Sequence, residues 1–273
     1  MQRRILDKIE SLPPLPKTIV EIKEVLEEEE VDLNKLAEII ERDPFIKVDL
    51  IKQANSPFYG LRSKVDNVKR IVNLFGIKHM RMFILENILK RNAKEYFEGY
   101  DLTAGQFMNY VHDKQYLFEE WNKTEFSMLD IKHYVSSIIF IEDIGKTVID
   151  DILIEEGLAE EMQKRIKNGE SVSKIEKDLV GTTSHWVSYE ILRKWKFPPE
   201  IWEPIHEYDL VEKNATNSLI LFTEIIRVVN KTLTLYGDIN EKAAITELKK
   251  FKFSEENFRK ALKNFLDLEF EEE

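Results

Sequence analysis

The stretch DLNKLAEIIERDPFIKVDLIKQA, residues 32–54, decides the fold class. Leu33, Leu36, Ile39 and Ile40 recur at helical spacing, and so do Ile46, Leu50, Ile51 and Ala54; this is the pattern of two amphipathic helices, each burying one stripe. Asp32 and Asp43 stand where a side-chain oxygen can accept from the first free helical N–H groups. Pro44 fills a first helical position, where no N–H is needed. The same periodicity runs outward through Ile19, Ile22 and Leu26, and through Val68, Ile71, Val72 and Phe75, after which Gly76 reads as a C-terminal stop. Five short helices are expected in the first hundred residues. Others are expected near 103–121, 128–142, 151–168, 171–179, 184–195, 199–208, 213–233, 240–249 and 254–267. Residues 135–141 could form a buried strand, but they continue a helical pattern, and no segment carries hairpin chemistry. The expectation is all-α, a multi-helix bundle. The polar, glycine-containing stretch 96–101 is the candidate seam between an N-terminal helical sub-bundle, 1–97, and a larger bundle, 98–273.

Composition narrows the function. At 273 residues and 43% hydrophobic content the chain can bury a sizeable core. With no cysteine, disulfides and thiolate-bound metals are excluded, so any metal would need His, Asp or Glu. An acid at Asp7 interrupts the start, and no run nears the roughly 18 apolar residues of a membrane span, so a cytoplasmic protein without membrane contact is expected. The net charge of −11 disfavours nucleic acid as a partner. Segment 62–94 runs the other way, with nine Lys or Arg against Asp66 and Glu86, and reads as solvated helix faces paired with acids such as those at 27–30. Phosphate-binding glycine loops and nucleophile elbows are missing from the sequence. His79 and His133 read as packing residues. The sharpest local feature is Glu142-Asp143, adjacent carboxylates following the apolar run 135–141. Either Asp143 caps the next helix, or the pair belongs to a metal-binding or anion-sensing centre.

Several segments, in order, resemble the HDOD proteins, regulatory relatives of the HD-domain metal-dependent phosphohydrolases. They are Leu12-Pro13-Pro14-Leu15-Pro16, then Asp43-Pro44-Phe45-Ile46 with Ala54-Asn55-Ser56-Pro57-Phe58-Tyr59-Gly60, and Ile71-Val72-Asn73-Leu74-Phe75-Gly76. Ile141-Glu142-Asp143-Ile144-Gly145-Lys146 and the span from Thr183-Ser184-His185 to Trp195-Lys196-Phe197-Pro198 complete the set, which covers about 8–240. The resemblance implies that active HD enzymes would hold metal with a first His, a His-Asp pair, and later His and Asp residues. Here Tyr110 stands at the first position, Glu142 replaces the paired histidine, Asp143 remains, His185 matches a later histidine, and Tyr208-Asp209 falls at a paired-histidine position. His112 and His206 are each two residues off, about 200 degrees around a helix. The resemblance therefore implies a vestigial pocket of Tyr110, Glu142, Asp143, His185, Tyr208 and Asp209, with no catalytic residue, resident metal or cofactor. The function expected is a non-catalytic signal-transduction module that binds a partner protein or a small anionic ligand. The alternative is a metal-dependent phosphohydrolase acting on a nucleotide or cyclic dinucleotide with a degenerate ligand set. No linked receiver, kinase or cyclase domain is expected, so the signal would arrive through separate molecules. The apolar residues at 219–229 read as a core stripe.

Overall fold

The computed structural model describes residues 1–55, 63–129, 131–209 and 217–269, with backbone alone at 132–133, 209, 217–218 and 268–269. By compactness the chain forms one unit from Pro13–Arg91 and another from Met1–Leu12 with Asn92–Glu273. The division expected from sequence, 1–97 and 98–273, differs chiefly in where it places the first helix, α1 (Gln2–Ser11), which belongs to the larger unit.

In the smaller unit, Pro16 lies in extended backbone and starts α2 (Lys17–Glu27). The next two helices, α3 (Leu33–Glu41) and α4 (Pro44–Ala54), are capped as their sequence predicts. Asp32 accepts from the Asn34 and Lys35 amides, and Asp43 from those of Phe45 and Ile46. The following helix, α5 (Val68–Asn92), breaks at Gly76, where φ is +72°. That left-handed backbone suits a residue without Cβ, and a second helical segment starts directly beyond it. Ile19, Ile22, Leu36, Ile40, Ile46, Leu50, Ile71 and Val72 form the core. Glu27 and Glu28, expected to face the basic segment, pair with Lys23 and Lys35, while Arg81 of that segment donates to the Leu26 carbonyl and Lys90 pairs with Glu86. Residues 56–62, including Phe58 and Tyr59 of the expected motif, lie outside the described residues. On either side of them Asn55 ties the chain together. Its Nδ2 donates to the Ile51 carbonyl at 2.7 Å and the Val65 carbonyl at 2.6 Å, and its Oδ1 accepts from the Val65 amide at 2.8 Å.

The larger unit opens with α1, whose Arg4 and Lys8 pair with Glu155; Lys194 Nζ donates to the carbonyls of Ile9, Glu10 and Leu12 at its C-terminal end. At the expected seam lies a two-residue antiparallel ribbon not foreseen from the sequence, β1 (Tyr96–Phe97) against β2 (Leu102–Thr103). The bundle proper comprises α6 (Ala104–Glu125), α7 (Lys132–Ile141), α8 (Lys146–Glu155), α9 (Ala159–Lys167), α10 (Val172–Val180), α11 (Ser184–Lys194), α12 (Pro199–Asp209), α13 (Asn217–Thr232), α14 (Glu241–Phe251) and α15 (Glu255–Glu269). The single helix expected over 151–168 is two, α8 and α9, because Gly157 takes φ +67° and ends the first. Central α6 packs on α7 and α15. At its far end Trp121 meets Phe126, Phe253 and Phe258 edge-on. Phe222, Ile225, Ile226, Val228 and Val229 are buried, so the stripe at 219–229 is core. Among the described residues no helix is long and apolar enough to cross a membrane.

Asn55→Ala removes the three hydrogen bonds of a half-buried side chain and is expected to cost about 1–3 kcal/mol. A urea melt of the purified variant, read at unchanged slope, measures that loss.

Candidate functional site

The apolar run 135–141 folds as α7, buried in the bundle, and ends at Glu142; Asp143 and Gly145 lie in the tight turn that follows, and Lys146 begins α8. This turn sits directly on α11. The Gly145 amide donates to Ser188 Oγ at 2.8 Å, and that oxygen lies within bonding distance of the Glu142 and Ser184 carbonyls. A Cβ at Gly145 would stand 2.1 Å from the Ser184 carbonyl oxygen, which only glycine avoids. The turn therefore delivers two adjacent carboxylates into a dry interior. Glu142 is 0% exposed and Asp143 1%.

Buried carboxylates need charge or hydrogen-bond partners. Two lysines supply them. Lys114 enters from α6, fully buried, and its Nζ donates to Glu142 Oε1 at 2.7 Å, to Asp143 Oδ2 and to Asn230 Oδ1 at 3.1 Å. Lys146 Nζ lies 2.6 Å from Asp143 Oδ1 and donates to Ser184 Oγ at 3.0 Å. The order Glu142, Lys114, Asp143, Lys146 thus alternates in sign along a short chain of contacts. Around it, Asn230 Nδ2 donates to Glu142 Oε2 at 3.1 Å, and Tyr110 places its ring 4.7 Å from Lys114 Nζ. Glu176 accepts from Tyr100 Oη and from the Ser184 amide, both at 2.7 Å. His185 stacks on Tyr208 at 4.0 Å between ring centres, with Arg227 on the Tyr208 ring.

Burial is the strongest influence on Asp143, Lys114 and Lys146, and for each of the three it is overcome. It pushes the Asp143 carboxyl up, but Lys114 and Lys146 together hold it well below the usual carboxylate range. Burial pulls both lysines down, yet Asp143 and its acidic neighbours leave each above its ordinary value. Burial, followed by the charge of Asp143, pushes the Tyr110 phenol well above 10, so it remains a neutral ring at physiological pH.

Of the residues predicted from sequence, the fold brings together Tyr110, Glu142, Asp143 and His185, with Tyr208 stacked on the last; the Asp209 side chain lies outside the described residues. Asp143 is not a helix cap. Its carboxylate is taken by the lysines, and α8 starts with no side-chain cap. His112 is exposed and meets Phe140, and His206 packs on Tyr189. His79 is exposed with Nδ1 2.8 Å from the Phe75 carbonyl, while the His133 side chain lies outside the described residues.

Sequence reading missed Lys114, although its signal was present. Phe107, Tyr110, Val111, Leu117, Phe118 and Trp121 form the buried stripe of α6, and Lys114 sits inside that stripe one turn after Tyr110. A lysine in an apolar stripe demands acids opposite. The donors do not fit a resident divalent metal, because an ammonium already fills the space between the carboxylates. Among the described residues no three His, Asp or Glu side chains are grouped to hold one.

A family model for the HDOD domain matches residues 12–210. A protein of Treponema pallidum (strain Nichols), named only as uncharacterized, is 25% identical over 119 residues; the match covers 44% of this chain and 20% of that one. The chain thus spans about a fifth of that relative's length. Among solved structures, one from Marinobacter aquaeolei, provisionally named a signal transduction protein, superposes with TM-score 0.72 at 17% identity, over 96% of this chain and 58% of that one. An HDOD domain protein with unknown function from Geobacter sulfurreducens gives 0.65 at 14%, over 95% of each chain. One from Shewanella amazonensis, provisionally named a metal-dependent phosphohydrolase, gives 0.60 at 15%, over 96% and 97%. At such identities these likenesses establish the fold.

Lys114→Met strands two buried carboxylates with one ammonium and is expected to cost about 3–5 kcal/mol in denaturant unfolding. The pH dependence has a sign on each side. Asp143, depressed in the fold from its ordinary 3.8, contributes stability that is full above that value and lost as pH falls below it. Lys146, raised from 10.5, contributes stability that is full below that value and lost as pH rises through its folded value. Thermal midpoints should therefore be level through neutral pH and fall at both extremes, with a shallower acid limb in Asp143→Asn.

Proposed function

Because the chain belongs to the HDOD family, we propose that it is a non-catalytic regulatory module of signal transduction that binds a partner protein. The observation carrying this reading is the Lys114 ammonium between Glu142 and Asp143. Metal-assisted hydrolysis needs an open coordination position and an activated water beside the metal. Here the oxygens that would face a metal face ammonium groups instead, in a centre whose lysines are 0% and 4% exposed.

The same burial weighs against a small anionic ligand at this centre, because an anion would have to displace Glu142 or Asp143 from lysines they already neutralise. A protein partner asks less. On α4, Phe45 is 78% exposed and Val48 63%, three residues apart and so on one helix face. Large apolar side chains presented together are what a partner surface covers. No specific feature favours the phosphohydrolase reading with a nucleotide or cyclic dinucleotide substrate. A cytoplasmic setting accompanies the regulatory proposal, and nucleic acid is a poor partner for a chain of net charge −11.

The test is metal analysis by inductively coupled plasma mass spectrometry after dialysis against manganese without chelator, run beside a Glu142→Ala, Asp143→Ala double variant. Hydrolysis of a generic phosphodiester is assayed on the same samples. The expected result is no stoichiometric metal in either protein and equal background hydrolysis. Stoichiometric manganese lost in the double variant, together with hydrolysis, would establish the enzyme reading in its place.

A further inference from the structure

The smaller unit treats its cations in two ways. From α2 to α4, Lys17, Lys23, Lys35, Arg42 and Lys47 each pair with a carboxylate. Among the described residues Lys64, Lys69 and Arg70 of the basic segment have no such partner, and neither has Lys52 in the last turn of α4. All four are exposed. The bonds from Asn55 to the Val65 backbone bring the end of α4, with Lys52, beside Lys64, and Lys69 and Arg70 follow on the first turn of α5. The acids nearest in sequence are Asp49 and Asp66, so four cations stand against two carboxylates in a chain of net charge −11.

Folding gains nothing from the placement of Lys69 and Arg70. The first turn of a helix lies at the positive end of its dipole, where acids are favoured and cations are not. That turn of α5 carries no acid. The two cations therefore stand against the local preference, without a carboxylate to compensate. Apolar side chains border them. On α4, Phe45, Val48 and Lys52 follow at i, i+3 and i+7, along one exposed face. On α5, Leu74 comes one turn after Arg70 and is 55% exposed.

Resting on the reading that this chain binds a protein partner, we infer that the end of α4 and the start of α5 form a docking surface for an acidic segment of that partner. Its carboxylates meet Lys52, Lys64, Lys69 and Arg70, and an apolar side chain beside them covers Leu74. The partner supplies the charge that the fold withholds from these four residues, with the sign that the start of α5 favours. Nucleic acid fits less well. Its binders neutralise about 6–10 phosphates, more than four cations can meet, and a phosphate backbone offers nothing to Leu74.

The experiment uses the full chain and three fluorescein-labelled probes: a peptide of glutamate and leucine, a peptide of lysine and leucine of equal length, and a single-stranded oligonucleotide matched in charge to the first. Anisotropy reads binding, sedimentation the oligomeric state, and calorimetry the thermal midpoint. Wild type is expected to bind the acidic peptide in preference to the other two, and more weakly as salt rises. Lys69→Glu/Arg70→Glu and Lys52→Glu/Lys64→Glu should each lose about tenfold or more in affinity. Lys260→Glu/Lys263→Glu, an equal change of charge on exposed residues of α15, should bind as wild type does. Lys69→Glu/Arg70→Glu should also melt no lower than wild type, since acids suit the start of a helix. A lower midpoint would show that these cations serve the fold, and would overturn the inference. So would an acidic peptide that does not bind, an equal loss in all three variants, or an oligonucleotide bound as tightly as the peptide. Salt-sensitive self-association abolished by Lys69→Glu/Arg70→Glu would make a second copy the occupant and overturn it too. Each of these results leaves the metal-free regulatory reading standing, whereas stoichiometric manganese with hydrolysis would sink that reading and the premise taken from it.

Discussion

Two adjacent carboxylates driven into a dry core by the α7–α8 turn are the constraint around which the larger unit is arranged. An isolated buried carboxylate is too costly for a marginally stable protein to carry, so Glu142 and Asp143 dictate what must face them. Lys114 comes from α6, Lys146 from the start of α8, and Asn230 from α13. Three helices distant in sequence are thereby committed to one point. A buried ion cluster of this kind does not necessarily stabilise more than an apolar core would, but it penalises any arrangement that separates its members. It specifies the packing more than it strengthens it.

The backbone beneath the cluster is equally constrained. Gly145 has no room for a side chain because the Ser184 carbonyl crosses where one would begin, and Ser188 holds the turn through the Gly145 amide. This close approach of α11 is also what sets His185 beside Glu142 and Ser184 beside Lys146. The Ile144-Gly145-Lys146 segment of the family resemblance therefore has a packing reason of its own, independent of any chemistry at the centre. The frame that would present metal ligands in an HD-type enzyme here presents an internal ion network, and the cation is part of the chain. That substitution is the physical basis for the regulatory reading.

What could be read from the sequence was whatever depends on neighbours three or four residues away. The Asp32 and Asp43 caps, the stop at Gly76 and the buried stripe of α13 are local matters of hydrogen bonding and periodicity, and they appear where expected. The misread helix over 151–168 shows the limit of that reading. Apolar spacing continues across Gly157, and only its left-handed backbone separates α8 from α9. The family resemblance pointed to Glu142, Asp143 and His185 because those positions lie in recognisable segments, and to Tyr110 by its alignment alone.

The sequence by itself determined an all-helical fold class and singled out an acidic pair, since periodicity, capping and an apolar run ending in Glu142-Asp143 are written in consecutive residues. It could not say what neutralises that pair. Lys114 lies 28 residues before Glu142, and Asn230 lies 116 residues beyond Lys114. No local rule relates such positions, and a lysine in an apolar stripe acquires its meaning when the opposite helix ends with carboxylates at bonding distance. Tertiary packing decided that the centre carries its own cation, because only the folded bundle brings those charges out of water together.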